Sequence, residues 1–188
     1  MAPNPKGSQA PIIFTIGHST HGLERFIGLL HEQGVAHVLD VRRYPRSRRM
    51  PHFSKEELER SLPAEGIGYT HLGEELGGRR HPRRDSPNLG WKVDGFRGYA
   101  DHMASAAFAT GIEQAEAIAR AEPAAVMCAE ALWWRCHRRL VADALVARGW
   151  RVLHIAAYGR VDEHELTSFA FVEGVHVTYS AGQLTLPP

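Results

Sequence analysis

Short apolar runs alternate with amphipathic stretches along the chain, and that alternation predicts an α/β protein. Ile12 to Ile16 is a β-branched and aromatic run, read as a first strand buried on both faces. Leu23, Phe26, Ile27 and Leu30 follow the i, i+3, i+4, i+7 spacing of a helix with one core face, closed by Gly34. Val35 to Val41 is the next apolar run, with Asp40 and then Arg42 at its end. A strand, helix and strand within about 30 residues form a right-handed βαβ unit, so the two strands should be parallel. From Arg42 to Phe53 two prolines and five arginines interrupt regular structure, and Ser54 followed by Glu57 reads as a capping box for a helix from Lys55 to Leu62. Gly66 to Leu72 is a third strand. Residues 73 to 97 lack periodicity, as expected of a functional or mobile connection. Gly98 to Ala121 is helical by composition, with Gly111 as a candidate divider, and Ala124 to Cys128 is a fourth strand. A helix carrying Arg135 to Arg139 follows, its buried stripe Leu140, Val141, Ala144 and Leu145, and Gly149 stops it. Arg151 to Ala156 is a fifth strand. Val175 to Tyr179 and Gln183 to Leu186, joined through Ala181-Gly182, are candidates for a terminal hairpin.

The expected fold is therefore α/β: a mostly parallel five-stranded sheet with helices on both faces and a C-terminal hairpin. Residues 12–188 read as one domain, and residues 1–11, polar and holding three prolines, as a disordered lead-in. In such sheets ligands bind beyond the carboxyl ends of the strands. The groups there are His18 and Ser19 after the first strand, Asp40, Arg42 and Arg43 after the second, His71 after the third, and Cys128 and Glu130 after the fourth.

Composition narrows the class. With 44% hydrophobic and 23% charged residues, 188 residues suffice for a core without staples. No apolar run reaches the ~18 residues of a membrane helix. Two cysteines eight residues apart are neither a disulfide scaffold nor a recognisable zinc or redox motif, so a cytoplasmic, reducing compartment is the default. The net charge of +1 conceals clustering: twelve of the 22 Lys and Arg residues fall in Arg42–Arg49, Arg79–Arg84 and Arg135–Arg139. Three basic clusters on separate connections suit one anionic partner, while exposed basic loops without a ligand are the plainer alternative.

Cys128 is the leading candidate nucleophile, because cations and a helix start lower a thiol's pKa from about 8.5. The plainer reading is a small buried core residue. The six residues between Cys128 and Arg135, and the missing glycines, argue against the phosphate cradle of tyrosine phosphatases. Helical periodicity from Leu140 turns Cys136 toward the sheet as a packing residue, and His137 inward near Glu130. His18 at a strand end suits acid–base work, with Glu130 as a further catalytic candidate, and Ser19 or Thr20 either contacts substrate or caps the next helix. Asp40 pairs internally with an arginine, or Arg42 and Arg43 grip an anion bidentately. Arg135, Arg138, Tyr99 and His137 complete the candidate binding set. Tyr99, Asp101 and His102 are placed at a helix start. His18, His71, His102 and Cys128 have no close ligand spacing, so no metal site is assigned and cofactors stay undetermined.

The stretches TIGHST, LDVRRYPRSRR, FxGYADHM and MCAE…CHRRLVADAL, in this order, resemble the domain of unknown function 488 family from about Ile13 to Ile155, and EHELT resembles a family ending. The resemblance implies a small cytoplasmic α/β domain without an assigned reaction, in a family loosely linked with DNA repair. Leu132, Trp133 and Trp134 depart from its usually polar pattern between Glu130 and Cys136. Three functions compete. One is an enzyme acting on a phosphate-bearing small molecule, nucleotide or nucleic-acid end. A second is a non-catalytic nucleic-acid-binding module stacking bases on Trp91, Trp133, Trp134 and Tyr99. The third is a metal- or haem-dependent enzyme. No membrane partner is expected, and the oligomeric state is open.

Overall fold

A computed structural model describes residues 10–46 and 49–181. Its centre is a six-stranded sheet built from β1 (Ile12–Gly17), β2 (His37–Asp40), β3 (Gly68–His71), β4 (Ala124–Cys128), β5 (Arg151–Ile155) and β6 (Val161–Glu163). The strand order is β3-β2-β4-β1-β5-β6. The first five strands run parallel, as the βαβ spacing requires, and β6 adds to β5 in the antiparallel sense. The class is α/β, with one strand more than the apolar runs predict. Val161-Asp162-Glu163 has no apolar run because it is an edge strand with partly exposed side chains.

Alternation along the strands separates two cores. On β4, Ala124, Val126 and Cys128 point into one layer and Ala125 and Met127 into the other. The second layer is closed by α1 (Leu23–Glu32) through Phe26, Leu29 and Leu30, and by α2 (Lys55–Ala64) through Leu58 and Leu62. The first is closed by α4 (Asp94–His102), α5 (Ala106–Ala121) and α6 (Arg138–Ala147), with Tyr99, Phe108, Ile112, Leu140 and Val141 fully or almost fully buried. A single turn, α3 (Gly73–Leu76), packs under α5.

Several boundaries differ from the sequence reading. The stretch Gly98–Ala121 is two helices that break at 103–105, where Ser105 caps α5 by accepting from Phe108 N–H at 3.2 Å. Gly111 instead lies inside α5, where a side chain would run into Glu75 and Leu76 of the crossing turn. Tyr99, Asp101 and His102 consequently end a helix rather than begin one. Ser54 does accept from Glu57 N–H at 3.3 Å, but the Glu57 carboxylate bonds Arg60, so only half of the capping box forms. The segment from Trp133 to Arg135 is a 3-10 turn and Cys136 is extended, so α6 starts only at Arg138. Strand β8 (His176–Thr178) lies in the expected Val175–Tyr179 strand, yet it pairs with β7 (Phe171–Glu173) across Gly174, whose φ is +62°. The suggested partner Gln183–Leu186 is outside the described residues, as are 1–9 of the lead-in.

Candidate functional site

The strand order creates a crevice at the end of β4. Its neighbours β1 and β2 both lead into helices on one face, whereas β4 leads to α6 on the other. Connections that part to opposite faces leave room beyond the strand ends. There lies a cavity of about 540 Å3, lined by Arg42, Arg43 and Tyr44 after β2, by Cys128 to Glu130 and Arg135 to His137 after β4, and by Gly78, Arg79, Val93, Gly95 and Phe96. The last five come from the stretch without periodicity. That stretch is held in place by Asp101, whose carboxylate accepts from Ser86 Oγ at 2.6 Å, Asn88 Nδ2 at 2.9 Å and Arg83 N–H at 2.8 Å.

Both cysteines are free thiols at this cavity, Cys128 2% and Cys136 7% exposed, and their sulfurs are 2.8 Å apart. Cys128 is delivered by β4. Cys136 reaches it because the chain after β4 makes a tight turn that returns extended to the strand end. That return requires Gly17, the β1 residue in register with Cys128, since a side chain there would overlap the Glu130 carbonyl. Cys136 was expected to face the sheet as a helix residue and only to pack; it is buried, but from an extended segment ahead of α6, and its juxtaposition with Cys128 has no signature in an eight-residue spacing.

The two thiols are electrostatically unequal. Cys136 is pulled down to about 7, first by the hydrogen bond from the Cys128 thiol, against burial, and then by the charge and backbone N–H of Arg138. Cys128 is pushed well up, by burial first and then by its bond to Cys136. The backbone N–H of Arg138 lies 3.5 Å from Cys136 Sγ, and Glu130 N–H 3.3 Å from Cys128 Sγ. His137 completes the group. Its Nε2 lies 3.2 Å from the Val41 carbonyl, which only accepts, so Nε2 carries the proton. Nδ1 then presents a lone pair 3.5 Å from Cys136 Sγ. Burial lowers the His137 pKa and so favours the neutral ring, which is able to take the thiol proton. The ring fits here because Gly78 faces it without a side chain.

The three basic clusters sort into structural and cavity-facing arginines. Arg43, Arg79 and Arg135, one from each cluster, line the cavity, and among the described residues none has a carboxylate within 4.0 Å. Arg43 and Arg79 both lie within 6 Å of the ring of Tyr44, at 5.7 and 5.8 Å. The rest of the clusters serves the fold in several places: Arg80 bonds the Gly77 and Glu74 carbonyls, Arg83 pairs with Asp85, and Arg139 bonds Thr167 and lies over Trp91.

Other sequence candidates lie elsewhere or are already engaged. His18 follows Gly17 by one residue, so strand parity sends it to the face opposite Cys128, where it stacks on Phe53 at 4.2 Å. Its Nε2 accepts from Arg42 at 3.2 Å and its Nδ1 donates to Ser19 O at 3.0 Å. Burial first, then Arg42, holds its pKa down to about 4. Ser19 has φ +49° and ties its N–H to Ala129 O, while the helix it was expected to cap starts after Gly22. Arg42 borders the cavity but forks onto buried Asp40 at 2.8 and 2.6 Å, and its own backbone N–H and the Tyr69 hydroxyl also donate to that carboxylate. Tyr99 is fully buried and donates its hydroxyl to Leu76 O at 2.7 Å. Glu130 lies exposed at the cavity edge. The metal candidates do not meet: His71 Nε2 donates to Arg42 O, His102 Nε2 to Glu75 O, and His18 is on the other face. Among the described residues no group of three His, Cys, Asp or Glu is placed to hold a metal ion.

Arg138 is 1% exposed and does not line the cavity. It fixes the turn after β4, donating to Glu130 O at 2.6 Å, Ala131 O at 3.3 Å and Thr15 Oγ1 at 3.3 Å. A buried relay continues through His154 and His164 to Asp143, with steps of 2.6, 3.0 and 2.9 Å. The relay thus joins the buried Arg138 at one end to the buried Asp143 at the other through Thr15 and two imidazoles. Asp143 also accepts from Tyr179 OH at 2.7 Å, which fastens the C-terminal hairpin to α6.

Cys136, Ala129, Arg79, Gly78, Tyr44, Val93, Gly95 and Phe96 are the cavity residues that sequence reasoning missed as site residues. Only the aperiodic stretch and the basic cluster signalled any of them. The aromatic departure Trp133-Trp134 turns away, Trp133 stacking on His154 at 4.2 Å.

No curated protein and no solved structure matches the chain. A family model, Domain of unknown function DUF488, matches residues 22–145. The match takes in the arginine-rich segment after β2, the FxGYADHM helix and the two-cysteine turn, and leaves TIGHST and EHELT outside its bounds. On that match, which spans the cavity-lining segments, the chain belongs to the DUF488 family.

Proposed function

We propose that the protein is a thiol-dependent enzyme acting on a small anionic, phosphate- or carboxylate-bearing substrate at the end of β4. Arg43, Arg79 and Arg135 hold the anion, His137 Nδ1 takes the proton of Cys136, and the Cys136 thiolate attacks. The observation that carries this reading is the convergence of three arginines, each from a different connection and without a carboxylate partner among the described residues, around a cavity with a Cys–His pair in its wall. The roles first suggested for Cys128 and His18 pass to Cys136 and His137, which have the lower thiol pKa and the access. Free thiols in this position suit a reducing, cytoplasmic compartment. A small substrate is favoured over a nucleic-acid strand because Trp91 and Tyr99 are buried and Trp133 is stacked on His154, which leaves few rings for bases.

Alkylation separates the alternatives. Cys136 should react before Cys128, with a rate midpoint near pH 7, and anionic iodoacetate should gain on neutral iodoacetamide relative to free cysteine. Arg79→Ala and Arg135→Ala should each cut that gain by about three- to tenfold. Slow labelling of both thiols, or the reagent ratio of free cysteine, would overturn the proposal.

A further inference from the structure

We infer that Cys128 and Cys136 form a reversible dithiol–disulfide couple that reduces small anionic disulfides, with Cys136 as the attacking and Cys128 as the resolving sulfur. This inference rests on the reading of Cys136 as the nucleophile and names a substrate class for the same site. Their sulfurs stand 2.8 Å apart, in direct contact. Closing to the ~2.05 Å of a disulfide takes a movement of under about 1 Å. The asymmetry of burial sets the order of events. Cys136 is the more exposed sulfur and faces His137 and the arginine-rimmed cavity. Cys128 also borders the cavity, from the strand end, but is the more deeply buried of the two, 2% against 7% exposed. The turn that carries Cys136 is anchored by Arg138 through the Glu130 and Ala131 carbonyls, and its residues Ala131 and Leu132 are exposed.

The chemistry balances without a further oxidant. The Cys136 thiolate attacks one sulfur of R–S–S–R, the S–S bond breaks, and one RS⁻ leaves with the proton first lost from Cys136. The Cys128 sulfur then attacks the Cys136 sulfur of the mixed disulfide, displaces the second RS⁻, and its proton goes to that leaving thiolate. Two protein thiols are oxidised and one disulfide is reduced to two thiols. A dithiol of the dithiothreitol class returns the protein to its starting state by the reverse exchange.

The test uses the whole chain and 5,5′-dithiobis(2-nitrobenzoate), a dianionic disulfide. The wild-type protein should release two equivalents of thionitrobenzoate, retain no label, and lose two hydrogens in its intact mass. Cys128→Ser and Cys128→Ala should release one equivalent and keep the label on Cys136, and Cys136→Ser should react at least about tenfold more slowly. A neutral analogue, 2,2′-dithiodipyridine, should show the same stoichiometry with less advantage over free cysteine. A wild-type protein that keeps one label on Cys136, or one label on each cysteine, overturns the couple while leaving Cys136 as the nucleophile. No release from wild type overturns both this inference and the proposed function.

Discussion

Arg138 shows how one residue links fold and chemistry. Among the described residues its buried guanidinium has no carboxylate partner and its Nε no hydrogen-bond partner, and its charge is answered by two carbonyls, Thr15 and the neighbouring thiol. A buried cation so placed favours the Cys136 thiolate. Arg138→Met should therefore raise the midpoint of Cys136 alkylation from near 7 toward the ordinary thiol range. It should also cost about 2–3 kcal/mol of stability, because Glu130 and Thr15 lose their donor. Urea unfolding and a pH–rate profile measure the two effects, and an unmoved midpoint would separate Arg138 from the thiol. The same residue was read in the sequence as a ligand-binding arginine at a helix start. Nothing local distinguishes a cation that faces a ligand from one that faces the protein's own carbonyls.

At the scale of elements, β1 and β4 decide where the sulfurs meet. Their parallel register aligns Gly17 with Cys128, and the absence of a side chain at Gly17 lets the turn after β4 fold back over β1. Gly17→Ala forces the Glu130 carbonyl outward. About 2–3 kcal/mol of destabilisation should follow, together with slower disulfide formation, because the Cys136 segment is displaced from the strand end. Normal stability with unchanged thiol exchange would show that the turn does not depend on that approach. The strands themselves were legible because β1, β2, β4 and β5 are apolar runs bounded by glycine or charge. β6 and β7 were not. Each is three residues long with side chains half in water, so neither carries the apolar run that burial on both faces writes into a central strand.

Across the whole molecule, buried neutral histidines couple folding to pH. His18 titrates at about 4 and His154 at about 2 in the folded protein, chiefly because burial disfavours the charged ring, and His102 and His137 shift the same way. The unfolded chain binds protons near pH 6.5 that these rings refuse, so their contribution is complete above about 6.5 and is lost as pH falls toward the folded values. His18 alone is worth about 3 kcal/mol over that interval. The urea midpoint should drop steadily from pH 7 to pH 4.5, and His18→Gln, which keeps an acceptor for Arg42, should flatten the slope. Parallel slopes for the two proteins would mean that His18 titrates alike in the folded and unfolded chain.

The sequence by itself determined the parallel α/β order, the two-faced burial, the carboxyl ends as the place for polar groups, and the family. These follow from periodicity and chain connectivity, which are local. Only the tertiary structure decided which groups share a space. Strand parity put His18 and Cys128 on opposite faces although both end adjacent strands. A turn fitted against Gly17 brought Cys136 onto Cys128, and the packing of three connections separated Arg43, Arg79 and Arg135 from the arginines that hold the fold. Each of these depends on residues distant in the chain meeting at fixed register, and no window of sequence contains that information.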